Sequence, residues 1–314
     1  MFAETSHSRH WVLAWLTTLV FSFTSPASSQ TLPDRTDVVA RKPGVDIALV
    51  LAVDVSSSIQ SVERVFQRHA YAQALKDPRV AQVALGGGTG RVAIAYMEWS
   101  GRKYQRVYLP PRIMSSPEEI SNFADDILRI PDHADDPMYF QATAVGDALI
   151  AAETAMSELD LRARDYVIDI SGDGVLNDGS NMQEARDHVL SRGYVVNGLP
   201  IEVTGSPTIY DDVNSRDYVS RYYANCVIGG PGAFHLVARG YSDVRETLIM
   251  KLMLEMAQIP AREKKQIAEM WNRVNDAPSA LIIPAMVLEL APNETGSEQT
   301  DVDCSHHEPL IFVP

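Results

Sequence analysis

The sequence predicts an α/β domain with a doubly wound, mostly parallel central sheet flanked by helices, a three-layer sandwich. Three observations carry that expectation. Residues 45–53 read Val-Asp-Ile-Ala-Leu-Val-Leu-Ala-Val, a nearly unbroken apolar run of the kind buried on both faces of a parallel sheet. Strand-like runs then alternate with stretches whose apolar residues recur at helical spacing. Finally, hydroxyl and carboxylate residues gather where strand-like runs give way to helix-like ones, the rim at which such sheets bind ligands.

The run at 45–53 is the central strand. Behind Ser58, the residues Ile59, Val62, Phe66 and Ala70 recur at helical spacing, so a short polar turn leads into an amphipathic helix. A strand follows over 91–99, a short one over 106–109, and a helix over 117–128 opened by Ser116 and Pro117. A third helix runs from Thr143, with Val145, Ala148, Leu149, Ala152, Met156 and Leu159 on one face, and feeds a strand over 166–171. Next come a helix over 181–192, a strand over 194–203, a helix over 211–223 and a short strand over 233–238. The last helix of the domain starts behind Ser242, placed to cap it, and lines up Val244, Leu248, Leu252, Met253 and Met256. Methionines in such a row fill gaps in a core rather than bind a cofactor. Beyond Pro260 a charged helix reaches Asn275. The apolar stretch at 280–291, broken by Pro284 and Glu289, is too short to cross a membrane and folds back as a strand or clip. From Pro292 the chain is polar and acidic, a loosely held tail.

With 314 residues, nearly half of them apolar, the chain is long enough for one large domain or two small ones. Its net charge of -14 is spread along the chain, which excludes a nucleic-acid surface built of Lys and Arg. His7, Arg9 and His10, the apolar run at 11–23 and the small residues Ala27-Ser28-Ser29 follow the order of a secretory signal, with cleavage expected after Ser29. That run falls short of the roughly 20 residues that span a bilayer, so no stable membrane span is expected after cleavage. The expected location is therefore periplasmic or secreted. The chain divides into a signal peptide at 1–29, a linker at 30–44, the α/β domain at 45–259, a helix and apolar clip at 260–291 and a flexible acidic tail at 292–314. Cys226 and Cys304 fit either a disulfide that ties the tail down or two separate thiols, one buried and one in the tail. No Cys-x-x-Cys pair is present to build a thiolate metal site.

The residues that carry chemistry sit just after strands. Asp54-Val55-Ser56-Ser57-Ser58 follows the first, Ser171-Gly172-Asp173-Gly174 closes the strand at 166–171, and Thr143 opens the helix before it. In a turn leaving a strand, alternate side chains can face one point, so Asp-x-Ser-x-Ser directs a carboxylate and two hydroxyls at a single ion. Two carboxylates and three hydroxyls form an all-oxygen shell suited to Mg²⁺ or Mn²⁺. Asp54-x-Ser56-x-Ser58, Thr143-x-x-Gly146-x-Ala148-Leu149 and Ser171-Gly172-Asp173-Gly174 together resemble the metal-ion-dependent adhesion site (MIDAS) of von Willebrand factor A domains, over residues 45–256. The layout also resembles secreted bacterial proteins of that kind that form a domain family of unknown function. The resemblance implies that Ser56, Ser58 and Thr143 ligate through hydroxyls, that Asp54 and Asp173 ligate directly or through waters, and that a partner's acidic group completes the octahedron. Two positions depart from the pattern: Gly172 stands where many members carry Thr or Ser, and Asp169 interrupts a strand that is usually apolar. Asp169 and Ser171 are candidates for supporting a ligand from behind; for Asp169 the alternative is a buried carboxylate satisfied by backbone donors.

Other signals are weaker. Gly86-Gly87-Gly88-Thr89-Gly90 precedes a strand and lacks a Gly-Lys-Ser/Thr ending, so it reads as a turn rather than a phosphate loop. Asp132, His133, Asp135 and Asp136 read as a solvated loop, or as a border of the metal rim. Asn293-Glu294-Thr295 fits a glycosylation acceptor only in a host that uses one. The functional expectation is an exported, divalent-metal-dependent binding domain that captures a protein partner's carboxylate. A metal-dependent phosphoester hydrolase is the alternative, but no His, Lys or Arg stands beside the motifs as base or anion clamp, and there is no nucleophile elbow or Walker loop, so no enzyme is expected. A metal-free interaction scaffold is a third reading, motivated by Gly172 and Asp169.

Overall fold

The computed structural model describes residues 42–56, 61–131, 142–202, 217–276, 302 and 304. Among them, strands β1 (Gly44–Asp54), β2 (Val92–Trp99), β3 (Gln105–Met114), β4 (Arg162–Gly172), β5 (Tyr194–Glu202) and β6 (Ala238–Arg239) alternate with helices. The helices are α1 (Ser61–Leu75), α2 (Pro78–Ala84), α3 (Pro117–Leu128), α4 (Val145–Ser157), α5 (Met182–Ser191), α6 (Tyr218–Tyr222), α7 (Val244–Met256) and α8 (Ala261–Asp276). The strands lie in the order β3-β2-β1-β4-β5-β6. β1 runs parallel to both neighbours, with Asp54 opposite Trp99 on β2 and Val53 opposite Ser171 on β4. Only β3 is antiparallel. This is the doubly wound α/β sandwich that the sequence predicts.

The unbroken apolar run of β1 is explained by its central place. Ile47, Leu49, Leu51 and Val53 pack with α1, α2, α3 and α7, while Ala48, Val50 and Ala52 pack with α4, α5 and the Tyr222–Tyr223 turn. The edge strand β3 is longer than the 106–109 expected. It continues through Pro110 and Pro111, which an edge tolerates because one row of its N–H groups needs no partner, and its register against β2 shifts around Tyr96. Helix α2 was not expected; Asp77 caps it, its side chain accepting from Arg79 N–H, and Pro78 opens it. The strand expected over 233–238 shrinks to the two residues of β6, joined to Ile201 and Glu202. Ser242 does not cap α7: its hydroxyl donates to Asp243 at 3.3 Å, and no side chain caps that helix.

Of the face expected of α1, Ala70 is buried, but the rest that is described points outward. Val62 and Phe66 are 68% and 40% exposed, whereas Arg64, Gln67, Arg68 and Tyr71 are buried. Charge overrides the apolar pattern because the Arg68 guanidinium grips Glu98 of β2 with two bonds of 2.6 and 2.7 Å. The same guanidinium donates to the carbonyls of Ile130 and Pro131, and Tyr96 Oη donates to Glu98. The glycine-rich turn at 86–90 wraps an anion supplied by the chain itself. Thr89 donates through its N–H and its hydroxyl to Asp46 on β1, and Arg91 N–H adds a third donor. Burial pushes the Asp46 carboxyl up, but those bonds outweigh it and hold the carboxyl below its usual range. Cys226 and Cys304 form a disulfide, so of the two pairings left open the bonded one is present, and Val302 and Cys304 pack on the α4–α5 side of the core. The expected signal peptide, residues 30–41 of the expected linker, Ser58, the acidic cluster at 132–136, the stretch at 280–291 and most of the tail lie outside the described residues, while Gly44, expected to end the linker, opens β1.

Candidate metal centre

Asp54 ends β1 at the carboxyl edge of the sheet and is fully buried. The chain turns immediately: Val55 N–H donates to Trp99 O at 2.8 Å, and Ser56 N–H donates to Asp54 Oδ1 at 2.7 Å, so the carboxylate caps its own turn and swings the buried Ser56 to the same rim. The other carboxylate oxygen, Asp54 Oδ2, is buried with no hydrogen-bond partner among the described residues.

Asp173 arrives from the neighbouring strand, since β4 is the parallel partner of β1 and the chain leaves it at Gly172. Burial first, and then the negative charge of Asp173, push the Asp54 carboxyl well above the usual carboxylate range. Thr143 is fastened beside them. Its N–H donates to Asn177 Oδ1 at 2.7 Å and its carbonyl accepts from Asn177 N–H at 3.1 Å, while Ala144 N–H donates to Ser100 O at 2.8 Å. A Cβ on Gly174 would stand 3.4 Å from Thr143 Oγ1, so the threonine hydroxyl lies against the residue that follows Asp173. Of the five candidate ligands, Asp54, Ser56, Thr143 and Asp173 thus converge on one rim.

Gly172 has a clear spatial reason. A Cβ there would meet Asp54 Oδ2 and Tyr223 Oη at 2.7 Å each and Asp54 Cβ at 3.1 Å. Tyr223 opens a π-helical turn (Tyr223–Val227) that continues α6, and its side chain is fully buried. Sequence reasoning missed it. The only trace it leaves is a pair of strand glycines, Gly172 and Gly198, whose missing side chains make room for its ring.

Asp169 is paired with a lysine rather than with the backbone donors considered for it. It faces the opposite side of β4 and sits 2.6 Å from Lys251 Nζ of α7, both side chains fully buried. Lys251 also bonds Glu255 one turn later, and Asn197 Nδ2 donates to Glu255 Oε1 at 3.2 Å. Backbone donors cannot serve Asp169 because its strand neighbours use them for the sheet; an ammonium from the helix above can. Burial and the Asp169 charge push the Glu255 carboxyl up to about 7, while burial and Lys251 lower the His235 imidazole to about 4. Ser171 also sits on this face, buried.

A family model described as "Protein of unknown function (DUF1194)" matches residues 44–260. No curated protein matches the chain. Among solved structures, proximal thread matrix protein 1 from the mussel byssus is similar at 15% identity and a TM-score of 0.48, over 69% of this chain and 49% of that one. A structure of the same mussel protein has a zinc-occupied MIDAS motif. The pilus adhesin SpaC from Lactobacillus rhamnosus GG is similar at 13% identity and a TM-score of 0.46, over 69% of this chain and 32% of that one. The human COPII-coat protein Sec24c follows at 12% identity and 0.41, over 69% and 33%. The chain spans half or less of the length of these proteins.

Proposed function

The chain belongs to the DUF1194 family of proteins of unknown function, and from that starting point we propose that it is an exported, divalent-cation-dependent binding domain that captures a carboxylate of a protein partner. The observation that carries this reading is the pairing of Asp54 and Asp173 at the ends of two adjacent parallel strands. One carboxylate oxygen is buried without a partner, and the like charge of the other residue acts against its ionisation. A divalent cation relieves both costs at once. The donor set fits a hard ion: Asp54, Ser56, Thr143 and Asp173, with Ser58 two positions after Ser56 in the sequence, offer only oxygen. Mg²⁺ or Mn²⁺ held there would supply a Lewis-acidic position for the incoming carboxylate.

This chain's own residues build the rest. The Asp54–Ser56 turn holds two donors at one point, and the Thr143–Asn177 pair fixes the third hydroxyl. Export is supported by the Cys226–Cys304 disulfide, a bond that persists in oxidising compartments, and among the described residues no helix is long and apolar enough to cross a membrane. The test is capture of partners from an envelope extract by wild type and by Asp173→Ala, with Mg²⁺ and with EDTA. Capture is expected only by wild type in Mg²⁺. Equal capture under all four conditions would refute the reading.

A further inference from the structure

Tyr223 is an expensive way to fill a space. Phenylalanine would place the same ring against Gly198, yet this chain extends a hydroxyl on to Gly172 and buries it with no hydrogen-bond partner among the described residues. A buried hydroxyl without a partner costs free energy, so its retention needs an acceptor. An acceptor lies close by in Asp54 Oδ2, also buried; the two make no hydrogen bond to each other in this structure. Both atoms lie 2.7 Å from the point where a Cβ of residue 172 would stand, so the space left by the glycine is shared by one orphaned donor and one orphaned acceptor.

The surroundings fix the tyrosine in place. Its ring packs 2.7 Å from the Cβ position of Gly198, and its carbonyl accepts from Ile228 N–H at 3.0 Å in the π-helical turn. Three residues further on, Cys226 bonds that turn to Cys304. Single π-helical turns are frequent at functional sites, where the extra residue re-aims a side chain. We propose that Tyr223 is a positioning residue of the cation site: when a cation is bound, its hydroxyl, poised beside Asp54 Oδ2 over Gly172, donates to that carboxylate and holds it in its ligating orientation. The inference rests on the cation-binding reading above.

The test is calorimetric titration of the full chain with Mn²⁺, for wild type, Tyr223→Phe and Tyr194→Phe. Tyr194 is a buried tyrosine at the opposite end of the sheet, its hydroxyl donating to Glu153 O. Loss of a group that orients a metal ligand weakens binding about 10–100-fold, and that is expected for Tyr223→Phe. Tyr194→Phe should bind as wild type does, and both variants should unfold at similar midpoints in EDTA. Wild-type affinity in Tyr223→Phe would overturn this inference and leave the cation site standing; no Mn²⁺ binding by wild type would overturn both. The ultraviolet difference spectrum on adding Mg²⁺ gives a second readout. A tyrosine band seen in wild type and in Tyr194→Phe but lost in Tyr223→Phe supports the assignment; no band in wild type, or one that survives in Tyr223→Phe, overturns it.

Discussion

Replacing Asp54 by asparagine should make the protein more stable without ions and blind to them. The side chain keeps its size, and its carbonyl oxygen can still accept the 2.7 Å bond from Ser56 N–H, so the turn at the end of β1 survives. What disappears is a fully buried negative charge beside Asp173. The Asp54 carboxyl is raised in the folded protein, so the fold favours its protonated form; the charged form becomes a burden as the pH rises. In EDTA the asparagine variant should therefore unfold at the same or a higher temperature than wild type, with its advantage growing from pH 5 to pH 8. With ion the order reverses. An ion at 100 times its dissociation constant stabilises the folded state by about 2.7 kcal/mol. For a domain of this size that is an upward shift of about 5–11 °C in wild type, and none is expected in the variant. Scanning calorimetry at several Mg²⁺ and Mn²⁺ concentrations reads both signs. A variant less stable than wild type in EDTA that still shifts with ion would refute the argument that this carboxylate pair is built for a cation.

Gly172→Ala should cost about 1–3 kcal/mol by overpacking, because the new methyl meets two atoms at 2.7 Å. Part of that loss should return in the double variant with Tyr223→Phe, and strict additivity in urea unfolding would contradict the crowded geometry. Glu255 is raised from 4.5 to about 7, so its stabilising contribution is complete below pH 4.5 and fades as the pH climbs through 7. The shift corresponds to at most about 3 kcal/mol, shared with Asp169 and Lys251. Glu255→Gln should flatten that slope, and an unchanged slope between pH 5 and 8 would count against the buried Asp169–Lys251–Glu255 cluster as its source. Removing the disulfide with Cys304→Ser opens a link across 78 positions, for which chain entropy sets a ceiling of about 4.5 kcal/mol. Denaturant midpoints of the variant and of reduced wild type should fall together; a variant as stable as oxidised wild type would show that the bond adds nothing.

The layout of strands and most of the helices was legible because burial on both faces leaves an unmistakable apolar run, as at β1, and because local caps such as Ser116 and Asn181 mark where helices begin. Helix α1 was misread for a reason that periodicity cannot see. Its inward positions carry Arg64, Gln67 and Arg68; Arg68 is admitted to the interior because Glu98 waits on β2, and nothing in the helix itself announces that partner. Lys251 is a similar case: with Glu255 four positions on it resembles a surface pair, yet Asp169 draws both into the core. The candidate ligands were legible as residue types placed after strands, whereas Tyr223 was not, since its relevance is defined by the space over Gly172 and Gly198 on two other strands.

The two carboxylates of the rim stand at the ends of strands that are neighbours in space but far apart in the chain, with α1, α2, β2, β3, α3 and α4 formed between them. No fragment that stops short of β4 contains both. A cation of modest affinity therefore has nothing to grip in a partly made or partly unfolded chain and cannot act as a nucleus for folding, a process favoured by contacts close in sequence. A cation bound as proposed would instead report that β1 and β4 have paired: whatever recognised an ion-bearing rim would recognise only molecules whose first and fourth strands have already met.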